Sequence, residues 1–106
     1  MSDILHRLAA TIDARRGADP ATSHTAALLA KGAAKCAEKF GEEAIEAIIE
    51  ATRGDQAALT RESADVLYHL LVMLAANEVT FDEVLAELER REGVSGIAEK
   101  AARRPG

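Results

Sequence analysis

Five acidic residues lie at mirrored distances from a single glycine, Gly54. They are Glu42, Glu43 and Glu46 before it, and Glu62 and Asp65 after it. Glu46 and Glu62 are each eight residues from the glycine, and Glu43 and Asp65 are each eleven residues from it. If both flanks are helices of an antiparallel hairpin, a rise of ~1.5 Å per residue places the members of each pair at the same height. The spacing therefore predicts a hairpin on which four carboxylates converge.

The composition indicates a single all-α domain. Of the 106 residues, 48% are hydrophobic but only 3% are aromatic, so the core must be built from Ala, Leu, Ile and Val. Ala and Leu are strong helix formers, and the only prolines are Pro20 and Pro105. A chain of this length forms one domain, spanning residues 1–106. We divide it into an N-terminal helix and loop (1–22), the helices that carry the acids (23–91) and a C-terminal tail (92–106).

Capping residues and helical periodicity predict the order of the helices. Ser2 is a good N-cap for a first helix that ends near Gly17. Ser23 and Thr80 are N-caps for two later helices. After the first, helices are expected at about residues 25–31, 33–52, 57–76, 81–91 and 95–103. The two longest flank the Gly54 turn, so we expect a helical bundle built around an antiparallel helix hairpin.

The helix after the turn is apolar on nearly every side. Hydrophobic residues occupy positions 66, 67 and 70–74, which surround its axis. A helix that is apolar all round has to be buried. A 106-residue monomer with short helices has little material to bury it, so we predict a homodimer whose bundle core is shared by two chains. The preceding helix is amphipathic, with an acidic stripe opposite an apolar face that includes Phe40 and Ile48.

The acids favour a divalent metal site over the alternative of a solvated face. Glutamates of the first flank have no Lys or Arg four residues later, so the usual pairing on an exposed helix is missing. These are Glu42, Glu43, Glu46 and Glu50. Glu62 and Asp65 begin the most apolar helix, where unpaired acids are costly. Oxygen-only ligands select Mg²⁺ or Mn²⁺ over Zn²⁺, and such sites perform phosphoryl chemistry.

Basic and imidazole side chains lie close to the acids. Lys31, Lys35 and Lys39 are spaced by four residues and form one ridge that leads to the site. They either contact substrate phosphates or form a solvated basic edge. His69 follows Asp65 by one turn on the acidic face. It is interpreted as a substrate contact, or alternatively as a hydrogen-bonded core histidine.

Other residues are expected to have ordinary structural roles. His6 and His24 belong to no constellation and are expected at the surface. Tyr68 is expected to pack in the fold rather than to stack on a base. Cys36, the only cysteine, is expected to be a small packed side chain, and no intrachain disulfide can form.

Several classes of protein are disfavoured. The net charge of -5 argues against binding to nucleic-acid backbones, although a bound metal would still allow a small anionic substrate. No strand followed by a Gly-rich phosphate loop and Lys is present, which excludes a P-loop enzyme. The longest apolar stretch, 66–76, is interrupted by His69 and is shorter than the ~20 residues that span a bilayer. Without a leader-like segment, a cytoplasmic setting is expected.

Three segments of the chain resemble the phosphoribosyl-ATP pyrophosphohydrolase family, which belongs to the MazG-like all-α nucleotide pyrophosphohydrolases. They are Ala26-Ala-Leu-Leu-Ala-Lys-Gly32, Lys39-Phe-Gly-Glu-Glu-Ala-Ile-Glu46 and Glu62-Ser-Ala-Asp-Val-Leu-Tyr-His69. The paired pattern Glu-x-x-Glu and Glu-x-x-Asp is shared by the whole group. The Gly-Glu-Glu-Ala context and the Asp-Val-Leu-Tyr-His continuation single out this family. The resemblance runs from about residue 23 to residue 90.

The resemblance implies a function and a set of ligands. Glu43, Glu46, Glu62 and Asp65 correspond to Mg²⁺ ligands, and Glu42 to a further ligand or the residue that positions water. The implied reaction is hydrolysis of 1-(5-phospho-β-D-ribosyl)-ATP to phosphoribosyl-AMP and pyrophosphate, the second step of L-histidine biosynthesis. Family members are helical dimers. The chain has no room for the cyclohydrolase domain fused to many relatives, and His24 stands where an aromatic such as Tyr is expected.

Two other functions fit the same acids. One is a house-cleaning pyrophosphohydrolase of the same superfamily, which acts on dUTP, dCTP or damaged nucleoside triphosphates. The other is a non-catalytic helical dimer whose acids bind only Mg²⁺ or a partner. The carboxylate pattern does not separate them, and only the flanking residues favour the histidine pathway.

Overall fold

The computed structural model describes residues 3–93, which form five α-helices and no strand. The helices are α1 (Ile4–Ala14), α2 (His24–Ala30), α3 (Ala33–Arg53), α4 (Gln56–Ala76) and α5 (Phe81–Arg91). The prediction of an all-α fold is confirmed, and the observed ends lie close to the predicted ones. The short helix expected at residues 95–103 falls outside the described residues.

Two residues form the turn between α3 and α4: the first ends α3 and the second begins α4. Gly54 ends α3 in the left-handed conformation, with φ of 76°, and its N–H donates to the Glu50 carbonyl oxygen at 3.1 Å. Asp55 begins α4 by accepting a hydrogen bond from the Ala58 N–H at 3.0 Å. Only glycine adopts that backbone conformation readily, and Asp is a favoured N-cap. The two 21-residue helices pack on each other as the predicted antiparallel hairpin.

Side-chain caps fix two other helix starts. Ser23 Oγ accepts from the Ala26 N–H at the start of α2. Thr80 and Glu83 form a reciprocal capping box at the start of α5. The first helix differs from the prediction, because its N-cap is Asp3 rather than Ser2, and the Asp3 side chain makes no capping bond.

Side chains on α1 and just beyond it form hydrogen bonds with both α4 and α5. Arg16, just beyond its end, donates from Nη2 to the Ala75 carbonyl oxygen at 2.6 Å. His6 forms hydrogen bonds with Asp3 and Asp82, so the expectation that it belongs to no constellation is wrong. The Arg16–Ala75 and His6–Asp82 contacts could not be read locally, since they depend on how α1 packs against α4 and on how α5 turns back after α4.

The core of one chain is small. Its buried cluster consists of Ile12, Leu28, Cys36, Leu71 and Val72, which come from α1, α2, α3 and α4. Cys36 is packed as expected, and its thiol donates to the Leu28 carbonyl oxygen at 3.2 Å. It is the only buried residue of α3. This cluster covers only part of the α3–α4 hairpin. Much of the outer surface of the hairpin is therefore not packed against other described residues.

The apolar face of α3 is largely open in the single chain. Ile45, Ile48 and Ile49 are exposed, with Ile48 at 62%. Leu67 on α4 is also exposed. The sequence predicted that both helices bury their apolar sides, and within residues 3–93 this burial is incomplete. An exposed group of large apolar side chains of this kind marks an interaction surface.

None of the described helices is by itself long and apolar enough to cross a membrane. Helices α4 and α5 satisfy the length and composition test only as a pair, bent by 107° between them.

Candidate metal centre

Three carboxylates from the two arms of the hairpin come together. Glu43 lies on α3, and Glu62 and Asp65 lie one turn apart on α4. One oxygen of each can be chosen so that all three lie within 4.8 Å of one another. Glu43 and Asp65 are therefore neighbours, as their equal distance from Gly54 predicted. We call Glu43, Glu62 and Asp65 the acid trio.

The surroundings of the acid trio fit a hard divalent cation. The Glu43 side chain is only 12% exposed, and Glu62 Oε2 is buried with no hydrogen-bond partner among the described residues. Asp65 faces solvent. A buried carboxylate oxygen without a partner is costly, and a cation that accepts oxygen ligands would remove that cost. The open side at Asp65 leaves room for waters and substrate oxygens, which Mg²⁺ usually retains as ligands.

The remaining glutamates of α3 are placed differently from the trio. Glu46 is exposed and lies outside the group of neighbouring oxygens found in residues 3–93. Glu42 is also exposed, with its Oε1 3.6 Å from Lys39 Nζ. Glu50 Oε1 is buried and lies 3.4 Å from Arg53 Nη1. The roles of Glu42 and Glu46 therefore stay predictions that rest on the family pattern.

Of the three lysines in the predicted ridge, Lys39 reaches the acids. Its Nζ lies 3.6 Å from Glu42 and 3.7 Å from Glu43. Lys35 instead pairs with Glu38 at 3.1 Å, and Lys31 is exposed. The inference that the acidic stripe lacks cationic pairing is wrong, because Lys39 pairs with these glutamates from the preceding turn. These separations are long for charge-assisted hydrogen bonds, so Lys39 can turn toward another anion at little cost.

His69 is buried beside the acid trio. It is 6% exposed, and its Nδ1 has no hydrogen-bond partner within the described part of the chain. Burial lowers the pKa of His69, with smaller contributions from Lys39 and His24, while Glu43 and Asp65 act in the opposite direction. Burial thus favours the neutral imidazole, and the unpartnered nitrogen is available to a neighbouring group. His69 is therefore a core residue, but the expected hydrogen bond is missing at Nδ1, and the role as a substrate contact stays a prediction.

A row of rings continues from His69 toward α2. Tyr68 lies edge-on to His69, with ring centroids 4.9 Å apart, and His24 lies nearly parallel to Tyr68 at 6.4 Å. The Tyr68 hydroxyl and Thr25 Oγ1 are 2.5 Å apart. His24 is exposed, as expected, and the nearness of its ring to Tyr68 was not predicted. The sequence shows that Tyr68, three residues after Asp65, lies on the same side of α4, but it does not show that His24 lies beside Tyr68.

Residues 5–92 match the family described as phosphoribosyl-ATP pyrophosphohydrolase. The chain belongs to this family. The match spans α1 to α5. It includes every residue of the acid trio and the three neighbouring rings of His24, Tyr68 and His69. The role of the acid trio is therefore judged from the motif pattern of the phosphoribosyl-ATP pyrophosphohydrolase family.

Individual relatives agree with the family assignment. A Cereibacter sphaeroides protein named phosphoribosyl-ATP pyrophosphatase is 74% identical over 100 residues, which cover 94% of this chain and 97% of the relative. A Dinoroseobacter shibae protein of the same name is also 74% identical, covering 94% of this chain and 98% of its own length. A third, from Ruegeria pomeroyi, is 73% identical over 97% of this chain and 98% of its own. The similarity to members of the phosphoribosyl-ATP pyrophosphohydrolase family therefore extends over nearly the whole length of both chains.

Proposed function

We propose that this chain hydrolyses 1-(5-phospho-β-D-ribosyl)-ATP to phosphoribosyl-AMP and pyrophosphate, the second step of L-histidine biosynthesis. The observation that carries the proposal is the 74% identity, over 94% of the chain, to a protein named phosphoribosyl-ATP pyrophosphatase. The family match over residues 5–92 supports an enzyme rather than a non-catalytic metal-binding dimer. In the reaction, water adds across the α–β phosphoanhydride, and pyrophosphate leaves.

The acid trio and Glu46 would hold a divalent cation, Mg²⁺ or alternatively Mn²⁺. Oxygen-only donors favour these ions over Zn²⁺, and the unpartnered Glu62 Oε2 supports a ligand at this position. When bound, such an ion neutralises substrate phosphates and lowers the pKa of a bound water. Glu46 would have to turn its exposed side chain toward the trio, and Glu42 would either join the ligands or position the water.

The chain's own cations would hold the substrate phosphates. Lys39 has the best placement, because its Nζ already lies at the edge of the acid trio. Lys31 lies at the end of α2 and Lys35, which pairs with Glu38, lies in the first turn of α3, and both would contact more distant phosphate oxygens. His69 presents a buried nitrogen without a partner in residues 3–93, which suits a hydrogen bond to the substrate.

The working form of the enzyme would be a cytoplasmic homodimer. The exposed apolar residues Ile45, Ile48 and Ile49 on α3, with Leu67 on α4, form the surface that a second copy would cover. They belong to the same two helices as the acid trio, so dimer formation would stiffen the hairpin that carries the site. We expect neither nucleic acid nor a membrane as a partner, since the net charge of -5 disfavours nucleic-acid backbones and the longest apolar stretch, 66–76, is shorter than the ~20 residues that span a bilayer.

Pyrophosphate release tests the proposed substrate. Purified protein is incubated with Mg²⁺ and phosphoribosyl-ATP, and in parallel with ATP, dUTP and dCTP. We expect release from phosphoribosyl-ATP alone, and its loss on chelation with EDTA. Release only from the ordinary triphosphates would replace the histidine-pathway function with a house-cleaning one. Release from none of them would favour the metal-binding dimer.

A further inference from the structure

Lys39 is the one basic partner of the acid trio. It lies one turn before Glu43 on α3, and its Nζ is 3.7 Å from Glu43 Oε1. Within residues 3–93, no other Lys, Arg or His side chain forms an ion pair with a member of the trio. Three carboxylates and one ammonium leave a formal excess of two negative charges. The trio is therefore only partly neutralised by the chain itself.

The pairing of Lys39 with the glutamates is loose. Its Nζ lies 3.6 Å from Glu42 and 3.7 Å from Glu43, whereas a charge-assisted hydrogen bond measures about 2.7–2.9 Å. The Lys39 side chain is also 38% exposed, so water screens the attraction. Glu43, in contrast, is only 12% exposed and stays beside the other acids. The ammonium can therefore leave, while the carboxylate remains in place.

A divalent cation and the Lys39 ammonium would compete for the same carboxylate. Glu43 belongs to the acid trio and is also the ion-pair partner of Lys39. Charges of +2 and +1 that lie a few Å apart repel each other, even where water reduces the interaction. Lys39 would therefore turn away from Glu43 when the trio holds a divalent ion. A phosphate oxygen of the substrate is an anion to which it could turn.

We propose that Lys39 is a resident counter-ion of the acid trio that metal binding releases for a substrate phosphate, a role that rests on the proposed function. In the metal-free protein, Lys39 reduces the repulsion among the acids. In the metal-loaded protein, its ammonium is free to contact a phosphate. Lys39 thus links occupancy of the metal site to recognition of the nucleotide, although it makes no bond to the metal.

Titration of the free protein with Mg²⁺ tests the counter-ion role. Lys39→Met keeps the length of the side chain and removes its charge. In isothermal titration calorimetry without nucleotide, this variant should bind Mg²⁺ about threefold to tenfold more tightly than the wild type, because a competing cation is gone. Lys39→Arg keeps the charge and should stay close to the wild type. Circular dichroism checks that both variants retain their helices.

Lys35→Met is the charge-matched control for the Mg²⁺ titration. Lys35 lies one turn before Lys39 on α3, and its Nζ pairs with Glu38 at 3.1 Å rather than with the trio. In about 0.15 M salt, the Mg²⁺ affinity of this variant should stay within about twofold of the wild type, since distant charges are screened. Equal affinities in Lys39→Met and Lys35→Met would overturn the proposal, as would weaker binding in Lys39→Met.

Steady-state kinetics test the second half of the proposal. In saturating Mg²⁺, Lys39→Met should raise KM for phosphoribosyl-ATP by roughly tenfold to 100-fold, because a hydrogen bond between charged groups is lost. Tighter Mg²⁺ binding together with a raised KM supports the release of Lys39 to the substrate, and tighter binding with an unchanged KM overturns it. A wild-type protein that does not hydrolyse phosphoribosyl-ATP would remove the proposed function, and the Mg²⁺ titration would still decide the counter-ion role.

Discussion

His6 Nε2 lies 2.7 Å from Asp82 Oδ1, which joins α1 to the first turn of α5. The other ring nitrogen, Nδ1, lies 2.5 Å from Asp3 Oδ1. Both nitrogens can donate to carboxylates only when the imidazole is protonated. These hydrogen bonds, first to Asp3 and then to Asp82, raise the pKa of His6. In its protonated form His6 can therefore donate to both Asp3 and Asp82 and link α1 to α5.

We expect this connection to weaken as the pH rises. The pKa of His6 is higher in the folded state than the value of ~6.5 for an unfolded chain. Its contribution is therefore complete below about pH 6.5 and is lost as the pH rises through the folded-state value. The free energy of unfolding in urea should fall more steeply with pH in the wild type than in His6→Gln. The remaining histidines are common to both proteins, and equal slopes would contradict the prediction.

Asp65→Asn should separate metal binding from stability. We expect kcat to fall by about 100-fold or more, because a charged ligand is lost. In EDTA the variant should melt at a higher temperature than the wild type, since one of three neighbouring carboxylates is neutralised. Added Mg²⁺ should raise the wild-type Tm more than that of the variant. Glu89→Gln, which neutralises an exposed acid of α5, is the control and should resemble the wild type in both assays.

Glu46→Gln tests whether a fourth carboxylate completes the site. The family pattern makes Glu46 a ligand, although its side chain is exposed and lies outside the acid trio. We expect kcat to fall by orders of magnitude and the Mg²⁺ concentration at half-maximal rate to rise. An unchanged Mg²⁺ requirement, measured beside Asp65→Asn, would restrict the ligand set to the trio.

The exposed face of α3 predicts how the proposed dimer would respond to a charge placed in its interface. Ile48→Glu should convert the dimer to a monomer in size-exclusion chromatography with light scattering, because an unpaired carboxylate is costly in an apolar interface. Ile4→Glu introduces the same charge at an isoleucine of α1 that is 56% exposed, compared with 62% for Ile48. This control should remain dimeric. A wild-type protein that is monomeric at micromolar concentration would refute the assembly itself.

Two glycines of the hairpin should respond to alanine in opposite directions. Gly41 lies inside α3, and Gly54 ends it with a φ of 76°. A Cβ at either position meets nothing within 4 Å. Gly41→Ala should stabilise the fold by about 1 kcal/mol through helix propensity, whereas Gly54→Ala should destabilise it by about 1–2 kcal/mol through backbone strain. Urea unfolding measures the change in the free energy of unfolding for each variant. A change of the same sign in both variants would contradict this prediction.

Local signals explain why the helices could be predicted. Ser23, Gly54 and Thr80 each act within one helical turn, so their roles can be recognised from the residues next to them. The meeting of Glu43 with Asp65 followed from counting outward from Gly54. The same counting predicted Glu46 beside Glu62, but the Glu46 side chain is exposed and lies outside the acid trio. Height along a hairpin does not determine the direction of a side chain.

Long-range contacts could not be predicted in this way. His6 and Asp82 are 76 residues apart, and their contact depends on the path of the chain between α4 and α5. The pairing of Lys39 with Glu43 is local, and it was not predicted for a different reason. The prediction took into account only basic residues that follow each glutamate in the sequence, whereas Lys39 precedes Glu43. His24 was missed because its neighbour is a ring on another helix. The contacts of His6 with Asp82 and of His24 with Tyr68 each require knowing which helices touch.

The two-residue connection between α3 and α4 also bears on the order in which the protein folds. Joining helices through so short a loop costs little chain entropy, and contacts close in sequence form fastest. Every member of the acid trio lies on this hairpin, and Glu43 is separated from Asp65 by only 22 positions. The carboxylates should thus meet early, before α1 reaches its final position. A nascent chain could already recruit its cation while the rest of the fold is still forming.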